Sequence, residues 1–296
     1  MANDRPLSGD SVAIARRYMD RLLVESRVVG AQRPTSRVTL FGHPFETPIT
    51  TGALSHLKPG MTAFAEGARQ AGAACFIGMG SCDELENALK TNAKIIKIIK
   101  PYADPDEIYR RIECAERGGA IAIGMDVEHA ANVQDDQDSV VMGFQMKQPT
   151  LDELRQYIRS TRLPFVIKGA LSVTDARTCL DLGAQGIILS HHNGLMRWAV
   201  PPVMLLQDIR KAVGSQLTVI ADGGIQDGFD AFKALALGAD AVSVGRPLMG
   251  PLEDGGPEAM ADTLRTMTGE LRAMMLRTGS RDVRSIDPSV IHEVNW

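Results

Sequence analysis

The sequence has only four cysteines, no long apolar run and no long run of lysine and arginine. Its first twenty residues, MANDRPLSGDSVAIARRYMD, do not place an apolar stretch after a cationic segment, so they are neither a secretory signal nor a membrane span. We expect a cytoplasmic protein without a membrane partner. The cysteines match neither a CxxC pair nor a zinc spacing, which predicts reduced, mostly buried thiols and no metal site.

The charge balance is slightly acidic, with 32 lysines and arginines, 36 aspartates and glutamates, and a net charge of −4. Such a chain carries no electrostatic footprint for nucleic acid. Apolar residues make up 44% and charged residues 23%, an ordinary globular composition that supports a large core and excludes a disordered or collagen-like chain.

Short runs rich in Val, Ile and Ala alternate with amphipathic helical stretches from about residue 48 to residue 276, which is typical of repeated βα units. A doubly wound sheet would more often use fewer strands and a GxGxxG motif, which is missing here. Eight strands close a barrel, and a barrel fits within about 250 residues. The predicted strands are Thr47–Thr50, Ala74–Met79, Lys94–Ile99, Ala120–Asp126, Pro164–Lys168, Gly186–Ser190, Leu217–Asp222 and Ala241–Val244.

The sequence therefore predicts an α/β fold, a (β/α)8 TIM barrel that forms a single domain over residues 1–296. An N-terminal extension covers about residues 1–46, and a polar, acidic loop at about 129–149 follows the fourth strand. That loop is either a disordered surface segment or a substrate lid. Thr150 and Glu153 predict a capping box, Gly183 and Gly238 are candidate C-caps, and residues 256–277 form an amphipathic helix.

Catalytic residues of parallel barrels lie at the carboxyl-terminal ends of the strands. Charged or proton-transferring side chains end five of the predicted strands: Lys100, Asp126, Lys168, His192 and Asp222. His191 is ambiguous, because neighbouring residues of a strand point to opposite faces.

Two glycine-rich turns, ADGGIQDG and SVGRP, follow the seventh and eighth strands, where barrels commonly bind phosphate. Glycine leaves backbone N–H groups accessible to an anion, and an arginine neutralises its charge. The candidate phosphate ligands are Gly223, Gly224, Gly245 and Arg246.

Three segments, LPFVIKGALSVTDARTCLDLGAQGIILSHHNG, TVIADGGIQDGFDAFKALALGADAVSVGRP and MLRTGSRDVRSIDPSVI, resemble the FMN-dependent α-hydroxy-acid oxidase and dehydrogenase family, which includes glycolate oxidase and lactate dehydrogenase. The resemblance is close over residues 160–291 and weaker in YMDRLLVESRVV and TLFGHPFETPITTGA. It implies FMN as the cofactor.

The resemblance also implies roles for individual residues. Lys168 would lie beside the N1/O2 edge of the flavin, His192 would be the active-site base, and Asp126 would pair with that histidine and favour its protonated form. Ser190 would contact the flavin, and Asp222 would anchor its ribityl or phosphate region. Thr50, Thr51 and Ala53 would contact the flavin ring through the first strand.

The resemblance breaks where the family binds the substrate carboxylate. The family follows its histidine with an arginine and then Gln-Leu-Asp, whereas this chain has Leu195 and then Met196, Arg197 and Trp198. Ile98 and Lys100 stand where the third strand of the family has Gln and Tyr, and the N-terminal segment with another carboxylate-binding tyrosine is absent. Arg197 and Lys100, with His192, are the candidate substrate-binding residues.

The leading hypothesis is an FMN-dependent oxidoreductase that oxidises a 2-hydroxy acid or a related alcohol to the keto product. His192 would accept the proton and FMN the electron pair. Oxygen, a quinone or an electron-transfer protein could then reoxidise the flavin. The alternatives are an FMN-dependent isomerase of the isopentenyl-diphosphate isomerase type and a flavin-binding protein without turnover. Family resemblance favours a homo-oligomer, a tetramer or a multiple of it.

Overall fold

A computed structural model describes residues 9–192 and 194–294 and shows, within them, a parallel sheet of eight strands. The strands are β1 Ile49–Thr51, β2 Cys75–Ile77, β3 Ile95–Ile99, β4 Ala122–Asp126, β5 Phe165–Lys168, β6 Gly186–Leu189, β7 Thr218–Asp222 and β8 Ala241–Val244. The sheet order is β1-β8-β7-β6-β5-β4-β3-β2. The bridge between Leu54 and Ile77 and a 2.8 Å hydrogen bond from the Phe76 amide to Thr51 Oγ1 join the two ends of the sheet.

A helix follows each barrel strand in the described part of the chain, so the (β/α)8 barrel predicted from the sequence is confirmed. Every predicted strand overlaps an observed one. The barrel helices are α1 Met61–Gln70, α2 Cys82–Leu89, α3 Pro105–Gly118, α4 Leu151–Arg159, α5 Val173–Leu182, α6 Leu206–Val213, α7 Gly228–Ala236 and α8 Arg246–Arg277.

Local signals set the ends of several helices. The reciprocal hydrogen bonds of a capping box between Thr150 and Glu153 start α4. Gly183 ends α5 in the left-handed conformation with φ 92°, as a C-cap glycine does. Helix α8 is interrupted at Gly256, with φ 68° and ψ −160°, so its second half matches the helix predicted for residues 256–277.

The core has two layers. Side chains from alternate strand positions, among them Phe76, Ile98 and Ile220, fill the barrel interior, and a larger apolar layer separates the strands from the helices. Leu40 and Phe45, from an antiparallel hairpin of Val38–Leu40 and His43–Phe45, pack on the interior cluster beside Ala241, the first residue of β8. The hairpin therefore covers the amino-terminal end of the barrel and leaves the carboxyl-terminal end for a site.

The N-terminal segment packs on the barrel. An N-terminal helix, Ser11–Asp20, begins at Asp10, whose side chain accepts hydrogen bonds from the Val12 and Ala13 amides. The following strand, Leu22–Val24, pairs antiparallel with Ile291–Glu293 near the other end of the chain.

The segment at 129–149 is largely exposed, with Ala130 and Met146 buried. It contains a small antiparallel hairpin of Val140–Val141 and Phe144–Gln145, and the Ala103 amide donates to the Gln145 carbonyl at 2.9 Å. The rings of Tyr102 and Phe144 meet edge to face with centroids 5.3 Å apart. These contacts tie the segment to the loop after β3.

All four cysteines lie in the described part of the chain and are free, and burial raises the pKa of the Cys75 thiol to about 12. No helix of the described residues is both long and apolar enough to cross a membrane.

Gly228 tests the packing of α7 on α8. A Cβ at this position would lie 2.0 Å from the Met267 carbonyl oxygen, so Gly228→Ala is expected to lower the free energy of unfolding by about 3 kcal/mol. Gly269→Ala is the matched control, because no atom lies within 4 Å of its added Cβ and alanine favours a helix by about 0.5–1 kcal/mol. Urea denaturation measures both changes. Equal stability of the two variants would contradict the close helix contact.

Candidate functional site

A cleft of about 780 Å³ opens at the carboxyl-terminal ends of the barrel strands. A second cavity of about 780 Å³ lies beside the hairpin at the other end of the barrel and contains none of the predicted site residues. The residues that line the cleft at the strand ends are Val12, Arg16, Gly52, Ala53, Leu54, Lys168, His192, Asp222, Gly223, Gly224, Ile225, Gln226, Ser243, Gly245, Arg246, Pro247 and Met249.

One wall of the cleft is backbone that can approach an anion. Gly223 and Gly224 both have positive φ, 105° and 80°, which favours glycine at these positions. Helix α8 begins directly after Gly245, and no side chain caps its first N–H groups. A Cβ on Gly52 would lie 3.1 Å from the Gly245 Cα, so a side chain there would crowd this wall. The wall, with Arg246 on it, fits the phosphate group predicted from the sequence.

Arg16 reaches the same wall from the N-terminal helix. Its guanidinium forms a 2.5 Å ion pair with the buried Asp230 and a second ion pair with Asp20, and it lies 3.3 Å from the Gly224 carbonyl oxygen. The contact ties the N-terminal helix to the glycine turn. Sequence reasoning missed Arg16 because it lies more than 200 positions from that turn.

Asp126 is the centre of the polar cluster. The register of the parallel pair β4 and β5 puts Lys168 directly opposite Asp126. The Oδ2 atom of Asp126 lies 2.9 Å from Lys100 Nζ, 3.0 Å from His192 Nδ1 and 3.5 Å from Lys168 Nζ. Asp126 is only 1% exposed. Burial alone would raise the pKa of Asp126, but Lys168, the hydrogen bond from His192 and Lys100 outweigh it and hold that pKa well below its usual value.

His192 follows β6 in the left-handed conformation, with φ 45°. Its Nδ1 atom faces Asp126 and also lies 2.9 Å from Lys168 Nζ. Burial lowers the pKa of His192, the hydrogen bond to Asp126 opposes this effect, and the positive charges of Lys168 and Lys100 add to it. The ring is therefore held neutral beside a carboxylate, a state from which it can accept a proton.

A second chain of contacts starts at Lys168. Its Nζ lies 3.3 Å from Ser190 Oγ, and that hydroxyl donates to Asp222 Oδ2 at 2.9 Å. Ser190 Oγ also accepts from the His192 amide at 3.0 Å, and the Ser243 hydroxyl donates to Asp222 at 3.1 Å. The predicted residues Lys168, Ser190 and Asp222 thus form one connected group.

Other predicted residues lie apart from the cleft surface. Thr50 and Thr51 are fully buried, and their hydroxyls hydrogen-bond to the Val242 and Phe76 carbonyls. Their side chains therefore fasten neighbouring strands, which leaves only their backbone to contact a ligand. Arg197 packs against Gly9 with Trp198 and is not among the described cleft residues.

His191 and Ile98 are buried and are not among the residues that line the cleft. Nδ1 of the buried His191 accepts from the Gly194 amide at 3.1 Å, and its other ring nitrogen faces Gly223. Ile98 lies in the barrel interior.

Glu128 and His129 are site residues that the sequence reasoning missed. His129 Nε2 lies 2.6 Å from His192 Nε2. Burial and the charges of Lys100 and a protonated His192 lower the pKa of His129 to about 3. Burial raises the pKa of Glu128 to about 8, partly opposed by Lys168 and reinforced by Asp126 and Asp222. The signal was available, since both residues follow the strand end at Asp126.

Asp126, His129 and His192 place three possible ligand atoms within 4.8 Å of one another. The carboxylate already faces two lysine ammonium groups, at 2.9 and 3.5 Å. Their positive charges disfavour a metal cation at this point.

A sequence model of the family described as FMN-dependent dehydrogenase matches residues 129–293. L-lactate oxidase from Roseobacter sp. (strain GAI101) is 41% identical over 161 residues, which cover 54% of this chain and 44% of that protein. 2-Hydroxyacid oxidase from Dictyostelium discoideum is 37% identical over 147 residues, 49% of this chain and 38% of that protein. The matched segments thus span less than half the length of these relatives.

Solved structures of mandelate oxidase are similar over nearly the whole chain. The crystal structure of mandelate oxidase with (S)-2-phenylpropionate superimposes with a TM-score of 0.86 at 27% identity and covers 96% of this chain and 90% of that one. A mandelate oxidase variant with the monooxide FMN adduct gives the same TM-score at 28% identity, with 96% and 91% coverage.

Replacing Asp126 by Asn tests the central ion cluster. Two buried ammonium groups lose their carboxylate, so the variant is expected to be less stable at pH 7 by about 3–5 kcal/mol. The depressed pKa of Asp126 stabilises the fold above the unfolded-state pKa of about 3.9, and this contribution is lost as the pH falls toward the folded-state value. The difference between wild type and variant should therefore shrink by about 1 kcal/mol at pH 3.

Denaturant unfolding at pH 7 and pH 3 measures this change. Asp262→Asn is the control, because its carboxylate is 65% exposed and pairs only with Arg265 on the same helix. It should change stability by less than about 0.5 kcal/mol at either pH. A stability difference for Asp126→Asn that does not depend on pH would contradict the depressed pKa.

Proposed function

This chain belongs to the FMN-dependent dehydrogenase family, and we propose that it is an FMN-dependent oxidoreductase that oxidises a 2-hydroxy acid or a related alcohol to the keto product. The observation that carries the proposal is the buried Asp126, with His192 and Lys168 both on its carboxylate at the edge of the glycine-lined cleft. The names of the reported relatives, oxidases that act on lactate, 2-hydroxy acids and mandelate, support it.

The proposed phosphate site is the wall of the cleft formed by Gly52, Gly223, Gly224 and Gly245, here called the glycine wall, together with Arg246. Gly223, Gly224, Gly245 and Arg246 would hold the phosphate through backbone N–H groups and one guanidinium. Lys168, Ser190 and Asp222 would hold the rest of the cofactor from the opposite side, with Ala53 and the backbone of Thr50 and Thr51 along β1. When bound, FMN supplies an acceptor for an electron pair.

His192 is the proposed base. A carboxylate only accepts hydrogen bonds, so we propose that Nδ1 donates to Asp126, which leaves Nε2 as the nitrogen that can take the substrate proton. The negative charge of Asp126 stabilises the imidazolium that results and holds the ring in place. Lys168 Nζ lies 2.9 Å from Nδ1, so its positive charge opposes this protonation. We propose that Lys168 acts on the cofactor side of the site.

Substrate recognition is proposed at His192 and at Lys100, which lies 2.9 Å from Asp126 at the end of β3. Arg197 stays a prediction, because it packs beside Gly9 outside the described lining of the cleft. The reported relatives are oxidases, so the isomerase alternative is not favoured.

The oligomer, the electron acceptor and the location in the cell stay predictions from the sequence. We propose a cytoplasmic homo-oligomer, a tetramer or a multiple of it. Light scattering with size-exclusion chromatography measures the assembly.

The first experiment is to purify the chain without added cofactor, record its absorbance spectrum and mix it anaerobically with a panel of 2-hydroxy acids. We expect a yellow protein whose released chromophore is FMN and whose visible band is bleached by at least one acid. A flavoprotein that no member of the panel bleaches would contradict turnover of these substrates. A chain that binds no flavin after reconstitution would overturn the proposal.

His192→Gln separates the base from the cofactor site. The variant is expected to keep FMN but to lose about a hundredfold to ten-thousandfold in the rate of flavin reduction, the contribution typical of a positioned general base. Stopped-flow absorbance measures the rate. His292→Gln is the control, since His292 is exposed and contacts Glu25 on the far strand pair. Flavin reduction in the His192→Gln variant at the wild-type rate would exclude His192 as the base.

Arg246→Met tests the phosphate site by binding alone. Loss of one charge-assisted contact is expected to weaken FMN binding about tenfold to a hundredfold and to leave riboflavin, which lacks the phosphate, unaffected. Fluorescence titration of the apoprotein measures both constants. Arg162→Met, on an arginine whose side chain is 95% exposed, is the control. Equal losses for FMN and riboflavin would place the phosphate elsewhere.

A further inference from the structure

The ring nitrogens of two histidines meet at the point where the base must work. His129 Nε2 lies 2.6 Å from His192 Nε2, and the two rings are edge to face with centroids 3.9 Å apart. Since Asp126 faces Nδ1 of His192, the contact with His129 is on the nitrogen that remains to accept a proton. His129 therefore occupies the place that a substrate hydroxyl has to reach.

The next question is which ring donates the hydrogen in the contact between His129 Nε2 and His192 Nε2. Two groups lie within 3.0 Å of His192 Nδ1: the Asp126 carboxylate, which accepts, and the Lys168 ammonium, which donates. We infer that Nδ1 donates to Asp126, so that Nε2 of a neutral His192 carries a lone pair. The hydrogen of that contact then comes from His129 Nε2. Burial and nearby positive charges keep the pKa of His129 near 3, so this ring is a neutral donor and not a store for the proton.

The position of His129 is set by the segment that follows β4. The residue ends a short 3-10 turn, Val127–His129, and its carbonyl accepts from the Ser139 hydroxyl. The Ser139 amide donates in turn to the Ala130 carbonyl at 2.8 Å. The segment after β4, together with the strand end, therefore sets where the His129 ring lies.

We propose that His129 is a substrate-positioning residue: its Nε2–H caps the base in the free enzyme and donates to a carboxylate oxygen once the substrate hydroxyl has taken its place on His192. This inference rests on the proposed function. The hydroxyl and carboxylate oxygens of a 2-hydroxy acid are on adjacent carbons, so they can meet two neighbouring ring nitrogens at the same time. The pair of imidazoles thus matches a 2-hydroxy acid and not an isolated alcohol.

The two lysines of the cluster contact Asp126 and Nδ1 of His192, whereas His129 contacts Nε2. Lys100 Nζ donates to Asp126 at 2.9 Å, and the Lys168 ammonium lies among His192, Ser190 and Asp126. His129 is the group in direct contact with the accepting nitrogen, and it is partly exposed.

The arrangement of hydrogens can be read in the holoenzyme without substrate. Imidazole 15N spectra distinguish the two neutral tautomers, and the chain has six histidines, so His→Gln variants can assign the signals. At neutral pH we expect His192 with hydrogen on Nδ1 and His129 with hydrogen on Nε2. A neutral His192 with its hydrogen on Nε2, or a protonated His129, would overturn the proposal.

Binding without turnover tests the second half of the proposal. 2-Hydroxy-2-methylpropanoate keeps both oxygens but has no hydrogen on its α-carbon, so its binding can be titrated through the flavin absorbance. His129→Phe, which keeps a ring and removes the donor, is expected to weaken binding about tenfold, the effect of one lost hydrogen bond. His129→Gln, which retains an N–H donor, should restore most of it, and His292→Phe should leave it unchanged.

Two further measurements distinguish failure of the role proposed for His129 from failure of the proposed function. Isopropanol binding, measured as competition with the acid, should differ little between wild type and His129→Phe, because it has no carboxylate. Tight binding of the acid to His129→Phe, with flavin bleaching by 2-hydroxy acids intact in the wild type, would overturn the role of His129 and leave the proposed function standing. Wild-type flavoprotein that neither binds nor is bleached by any 2-hydroxy acid would overturn the proposed function itself, while the tautomer spectra would still report on the cap.

Discussion

The buried carboxylate of Asp126 is the interaction on which the rest of the site depends. It brings Lys100, Lys168 and His192 to one oxygen from the ends of three different strand regions, and each of these groups would be costly to bury without it. We propose that its charge also orients His192 and leaves Nε2, the nitrogen in contact with His129, to accept a proton. A single acidic residue thus organises both the folded end of the barrel and its proposed chemistry.

The glycine wall solves a different physical problem, which is to bring backbone close to an anion. Gly52 and Gly245 directly follow the neighbouring strands β1 and β8, and a Cβ on Gly52 would crowd Gly245. The positive φ of Gly223 turns the chain at the end of β7, while Arg16 holds the next turn residue through its carbonyl. The N-terminal helix is therefore part of the support of the cleft.

Much of the site was predictable because a parallel barrel brings its strand ends together. Once the eight strands were placed, Lys100, Asp126, Lys168, His192 and Asp222 had to lie at one end, and the structure brings them into one cluster. Strand position does not report which way a loop turns. His129 and Glu128 follow β4 immediately, yet only the 3-10 turn directs one ring onto His192 and buries the carboxyl of the other. Arg197, by contrast, packs beside Gly9 in the loop after β6.

The sequence by itself determined the barrel, its capped helices and the strand ends that carry charge, since local apolar periodicity, capping residues and glycine turns act over a few positions. The tertiary structure decided which charged side chains meet at the Asp126 carboxylate. It also decided that Thr50 and Thr51 fasten strands instead of facing the cleft, and that the N-terminal helix supports the glycine turn. These outcomes depend on distances between residues far apart in the chain. Such distances follow from packing and strand register, where hydrogen bonds and ion pairs weaken or disappear when atoms move by an ångström or two.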